Sequence, residues 1–138
     1  DNKKDYDRAI ADFDKAIEVN PNYANAYNLR GNAYDNKKDN DRAIADYNKA
    51  IDIDPKFAPA YNNRGFFYRN KGDYDRAIAD FDKAIDIQPT VGRYINRGIA
   101  YERKGDTQRA IADYRQALTI HPANEAAKAN LKRLGASP

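Results

Sequence analysis

The feature that most constrains this chain is a fixed period. The string DYDRAIADFDKAIEVNP at 5–21 returns as DNDRAIADYNKAIDIDP at 39–55, DYDRAIADFDKAIDIQP at 73–89 and DTQRAIADYRQALTIHP at 106–122. The closing residues Pro21, Pro55, Pro89 and Pro122 therefore step by 34, 34 and 33. A period in that range signals a solenoid, because one such unit cannot bury its own apolar face and must stack on a neighbour. A single globule, the default reading for 138 residues, gives way to a one-dimensional array.

Between the strings lies a second segment: ANAYNLRGNAY at 24–34, APAYNNRGFFY at 58–68 and GRYINRGIAY at 92–101. Tyr27, Gly31 and Tyr34 recur at helical spacing. Lys37-Lys38-Asp39, Lys71-Gly72-Asp73 and Lys104-Gly105-Asp106 follow. Lysine in a last turn, glycine at the stop and aspartate opening the next helix are capping chemistry. Each unit is thus expected to be a helix A, a tight turn and a helix B.

Counting unit positions from Ala24, facing positions of an antiparallel hairpin have a constant sum. Positions 4 and 24 pair Tyr27 with Tyr47, Tyr61 with Phe81 and Tyr94 with Tyr114. Positions 8 and 20 pair Gly31 with Ala43, Gly65 with Ala77 and Gly98 with Ala110, and Tyr68 faces Tyr74. Rings are expected to meet rings, and glycine to meet alanine. The eleven tyrosines then read as framework, since aromatics at helical spacing fill a core. Positions 7 and 23 nearly face as well, which predicts ion pairs Arg30–Asp46, Arg64–Asp80 and Arg97–Asp113 with the arginine stems covering apolar surface.

The pattern Tyr-x-x-Arg-Gly-x-x-Tyr, then Ala-x-x-x-Phe/Tyr, then Pro, resembles the tetratricopeptide repeat over essentially the whole chain. The resemblance implies an all-α fold, a right-handed α-solenoid of stacked antiparallel helix pairs. Residues 1–23 would be helix B of a truncated first repeat; 24–57, 58–91 and 92–124 full repeats; and 125–138 a capping helix and tail. Two departures stand out. Position 7, usually leucine in the family, is Arg30, Arg64 and Arg97; position 10, usually small, is Phe67 in the second repeat.

The ends differ. Residues 123–134 (ANEAAKANLKRL) read as one more helix, with Ala127, Leu131 and Leu134 on one face and lysines on the rest. A polar outer face of that kind is what a terminal repeat needs. The first helix has no partner preceding it and is expected to dock against another copy. The chain opens at Asp1, inside a repeat and without methionine, as an excerpt would.

Chemistry has few candidates. The acids recur with the period (Asp7, Asp12 and Glu18, then Asp41, Asp46 and Asp52), whereas a catalytic carboxylate pair should be singular and desolvated. His121 is the one histidine, there is no cysteine, and no glycine-rich phosphate loop occurs. No enzyme activity, cofactor or metal is expected. The net charge of +3 is too mild for a nucleic-acid-binding arm, and no apolar run reaches a membrane span of about 20 residues. The compartment is left open, with the cytoplasm as the expectation.

A stacked array leaves a concave flank lined by A helices. The resemblance places Asn28 and Asn32 of the first full repeat there, with Asn62, Asn63, Phe66 and Arg69 of the second. Ile95, Asn96, Ile99 and Arg103 of the third follow. Asparagine both donates and accepts, so it can pair with a peptide backbone, while Phe66, Ile95 and Ile99 would hold an apolar side chain. Family members that grip the acidic C-terminus of heat-shock chaperones use a carboxylate clamp. Asn32 and Asn63 match it, but Asn28, Gly92 and Asn96 stand where its cations belong. The expected function is a protein–protein interaction module binding a peptide or partner helix, and the alternative is self-assembly through the chain ends. Alanine at Asn63, Phe66 and Ile99 together is expected to abolish capture without changing the melting.

Overall fold

The computed structural model describes residues 2–138. Among them are eight helices and no strand: α1 (Asn2–Val19), α2 (Ala24–Asn36), α3 (Asn40–Ile53), α4 (Ala58–Asn70), α5 (Tyr74–Ile87), α6 (Val91–Lys104), α7 (Thr107–Ile120) and α8 (Glu125–Arg133). Helices α2 and α3, α4 and α5, and α6 and α7 pack as pairs, each stacked on the next. Helices α2, α4 and α6 also touch in succession along one flank, so the array is a helical solenoid. No helix of the described residues is long and apolar enough to cross a membrane.

The turn inside each pair is fixed by the same three residues. Asp39, Asp73 and Asp106 accept a bond from the backbone N–H of Arg42, Arg76 and Arg109, capping the B helix. Their own N–H groups donate back to the carbonyls of Tyr34, Tyr68 and Tyr101, which closes the end of the A helix. The residue before each aspartate must turn left-handed. Gly72 and Gly105 do so at φ 80° and 95°, but the first turn places Lys38 there at φ 66°. A side chain in that region costs about 1 kcal/mol or more.

Within a pair Gly31 and Gly65 do face Ala43 and Ala77, whose carbonyl oxygens lie 3.3 and 3.2 Å from where a Cβ would stand, but the ring-on-ring expectation is corrected. The position-24 ring does not stack on the position-4 tyrosine; it lies over the position-8 glycine. A Cβ at Gly31, Gly65 or Gly98 would fall 2.8, 2.9 or 2.7 Å from a ring carbon of Tyr47, Phe81 or Tyr114. Bare backbone is what lets these rings bury to 1%, 0% and 0% exposure. Phe67, which had no assigned role, packs edge-on against Tyr47 at 6.3 Å and against Tyr68 at 5.8 Å, filling the seam between α3 and α4.

The position-4 and position-11 tyrosines serve the arginines instead. The Arg30 guanidinium lies 5.4 Å from the Tyr27 ring centre and 5.8 Å from that of Tyr34; Arg97 sits likewise between Tyr94 and Tyr101. Each of these arginines grips an aspartate of its own pair through two parallel bonds. Arg30 donates from Nε to Asp46 Oδ2 at 2.7 Å and from Nη2 to Oδ1 at 2.8 Å. Arg64 and Asp80, and Arg97 and Asp113, repeat this at 2.7–2.9 Å. The remaining Nη1 reaches back to the B helix of the preceding unit, to Asp14, Asn48 and Asp82 at 2.7 Å each. One side chain therefore staples three helices, and only the middle staple ends on a neutral partner.

The two ends are finished differently. Helix α8 starts at Glu125 rather than Ala123, because the Asn124 side chain caps it by accepting from the Ala127 N–H. Ala127 and Leu131 are fully buried against α7, and Arg133 holds Glu102 of α6 with bonds of 2.5 and 2.9 Å. Helix α1 buries no residue completely. Asp5, the counterpart of the capping aspartates, lies inside it.

Candidate functional site

The flank formed by α2, α4 and α6 carries a cleft at the α2–α4 junction, lined by Asn32, Asp35, Asn36, Tyr47, Asn63 and Phe66, with a volume of about 310 Å³. That is the lower end of the range of ligand sites, enough for one or two side chains. Its floor is the Tyr47 hydroxyl, which donates to Asn32 Oδ1 at 2.8 Å. Burial, reinforced by Asp35 and Asp46, pushes the Tyr47 phenol up, so it stays protonated and keeps donating at any physiological pH. On the other wall Asn63 donates from Nδ2 to Asn28 Oδ1 at 2.9 Å. The Asn32 amide group and the Asn63 carbonyl have no hydrogen-bond partner among the described residues. A donor and an acceptor on opposite walls match the two polar groups of a peptide unit. Phe66 is 40% exposed, with the Arg69 guanidinium 4.4 Å from its ring centre.

The family assignment rests on two kinds of likeness. The tetratricopeptide repeat matches over residues 2–58, and again over 58–91 and 93–124. The chain belongs to the tetratricopeptide-repeat family. Among solved structures, the TPR domain of Arabidopsis OM64 is 32% identical, with 81% of this chain and 93% of that one covered, at a TM-score of 0.76. A structure titled as the first TPR of Spaghetti (RPAP3) bound to the HSP90 peptide SRMEEVD is 26% identical, covering 81% and 90%, at 0.76. The MamA protein is 26% identical, covering 96% and 69%, at 0.75. A search of curated proteins finds no match. The fold is that of a protein–protein interaction scaffold.

Measured against this tetratricopeptide-repeat frame, the residues expected to line the groove fall into three groups. Asn32, Asn63 and Phe66 meet in the cleft. A second group is bound up in the joints between A helices. Asn28 is only 2% exposed and its carbonyl is held by Asn63, so it is withdrawn from the surface. Asn96 donates to Asn62 at 3.4 Å in the same way, and accepts from Arg69 at 3.2 Å. Arg69 is 7% exposed, has no carboxylate partner among the described residues and leaves its Nε unbonded; burial and then the nearby Arg103 lower its pKa. Arg103 itself is exposed.

The third group, Ile95 and Ile99, packs against the cluster that joins α6, α7 and α8. The triple alanine test expected from sequence is therefore not clean, because truncating Ile99 removes packing as well as groove surface. Asp35 and Asn36, at the last turn of α2, line the cleft as well, and Tyr47 is the lining residue that the groove reading from sequence did not include. Among the described residues no group of three His, Cys, Asp or Glu is placed to hold a metal ion.

Proposed function

We propose that this chain is a non-catalytic interaction module that holds an extended peptide across the α2–α4 cleft. The observation that carries the reading is the open amide of Asn32 and the open carbonyl of Asn63 on facing walls, with the exposed Phe66 ring beside them. Asn32 and Asn63 would pair with one peptide unit, fixing chain direction. The adjoining side chain would lie on Phe66. The related structure with an acidic HSP90 peptide supports peptide binding on this fold. The asparagines at the clamp's cationic positions argue for a ligand other than an acidic C-terminus.

Stacking of copies through the chain ends is the rival reading. Against it stands Lys132 of α8, which occupies the position where a stacked B helix needs glycine.

The test is selection of a random peptide library displayed on phage against the wild-type chain, followed by titration of the selected peptides. Phe66→Ala and Asn32→Ala should each weaken binding about tenfold or more while leaving the melting nearly unchanged. Equal binding by both variants would remove the cleft as the site.

A further inference from the structure

Arg30, Arg64 and Arg97 each give Nε and Nη2 to an aspartate fork and send Nη1 to a second helix. Arg69, in the last turn of α4, has half of that arrangement. Its Nη1 donates to Asn96 Oδ1 of α6 at 3.2 Å, but Nε is buried without an acceptor and Nη2 has none among the described residues. The side chain is 7% exposed, so water replaces little of the missing anion. Arg103, exposed in the last turn of α6, adds a second positive charge near enough to depress the Arg69 pKa. Glu102 does not neutralise the pair, because it is already taken: Arg133 holds it at 2.5 and 2.9 Å, and the Tyr114 hydroxyl donates to it at 2.9 Å.

A buried guanidinium with no counter-ion is destabilising, and an anion that reaches it is held more strongly than in water. We infer that the α4–α6 joint is a carboxylate subsite, which takes one Asp or Glu side chain of the bound peptide on the empty edge of Arg69, with Arg103 as the second cation. That the carboxylate arrives on a peptide rests on the α2–α4 cleft reading; the subsite itself does not. The two adjoin, since the Phe66 ring that lines the cleft has its centre 4.4 Å from the Arg69 guanidinium. At a rise of about 3.3 Å per extended residue, the acid lies one or two residues beyond the side chain resting on Phe66. Asp35 lines the cleft on its α2 side and repels an acid placed there. The acidic residue therefore points toward α6.

Acetate is the probe for the subsite. Titrated into the isotope-labelled chain against chloride at constant ionic strength, it should shift the Arg69 Nε–H resonance saturably. The resonances of Arg30, Arg64 and Arg97 should stay in place, because their forks are filled. Arg103→Gln, at an exposed position, should weaken the Arg69 response about fivefold, the loss of one exposed charge contact. Arginine resonances that all move together, or an Arg69 resonance indifferent to acetate, overturn the proposal.

Arg69→Met separates binding from folding. It should melt no lower than wild type, since it removes a buried charge that has no carboxylate partner. A lower melting temperature would make Arg69 a structural residue and overturn the assignment. Displayed peptides selected on the wild-type chain should carry Asp or Glu one or two residues from an apolar residue. Those selected on Arg69→Met should keep the apolar residue and lose the acid, and equal acid content in the two pools overturns the proposal. A selection that yields no peptide from either chain fails the cleft reading alone, and the acetate titration then decides the subsite.

Discussion

Replacing Gly65 by alanine should destabilise the array, although alanine is the best helix former and Gly65 lies in the middle of α4. Propensity alone favours the change by about 1 kcal/mol. Against it, the new Cβ would stand 2.9 and 3.0 Å from two ring carbons of Phe81 and 3.2 Å from the Ala77 carbonyl oxygen. The ring cannot swing away, because Phe81 is 0% exposed, and the carbonyl belongs to the α5 backbone. Relief means separating α4 from α5, an overpacking strain of roughly 1–3 kcal/mol. The net loss is then about 0–2 kcal/mol. Gly92→Ala is the internal control. It lies in the first turn of α6 with nothing within 4 Å of the new Cβ, and should gain roughly 0.5 kcal/mol. Urea unfolding followed by circular dichroism reads both, comparing midpoints at constant slope. A Gly65→Ala protein as stable as Gly92→Ala, or more so, would refute the ring-over-glycine account of the pairing.

Three further outcomes follow from the same structure. Lys38→Gly should stabilise by roughly 0.5–1 kcal/mol, since it relieves the left-handed residue at φ 66°, and a lower melting temperature would contradict this. Asn48→Asp gives the middle staple the carboxylate its two counterparts have; a gain below about 1 kcal/mol in a urea melt is expected, and a loss would count against the staple. Glu102 is held below the ordinary carboxylate range by the Arg133 guanidinium and then by the Tyr114 hydroxyl. Its contribution is therefore present above the unfolded pKa of about 4.3 and disappears as pH falls through the lower native value. Amide exchange in α8 should accelerate across that acid window in wild type, and Glu102→Gln should flatten the response while loosening α8 at neutral pH.

The solenoid was legible because a period is a property of sequence order, and the helix pairs because their turns are written in local residues such as Lys71-Gly72-Asp73. Facing sums treat a hairpin as a flat ladder. They ignore the lean of helical side chains toward the N-terminus, which carries the Tyr47 ring across to Gly31 rather than to Tyr27. They also stop at the unit boundary, so the reach of Arg30 to Asp14 and of Arg97 to Asp82 had no sequence signal beyond an acid at position 25. The groove was the least legible part. Which asparagines remain open depends on neighbours one unit away, as when Asn63 takes up Asn28, and on α8 for Ile95 and Ile99.

The joints between units are not made of the same material. The first and third end on Asp14 and Asp82, carboxylates 48% and 47% exposed, whereas the second ends on neutral Asn48 and is wedged by the Phe67 ring. Mobile ions shield the outer pair of contacts and leave the aromatic wedge untouched. A salting-out anion such as sulfate even tightens the wedge. Electrolyte composition would thus choose where the array flexes: at the α1–α2 and α5–α6 joints in chloride brine, and at the α3–α4 joint when the solution is dilute.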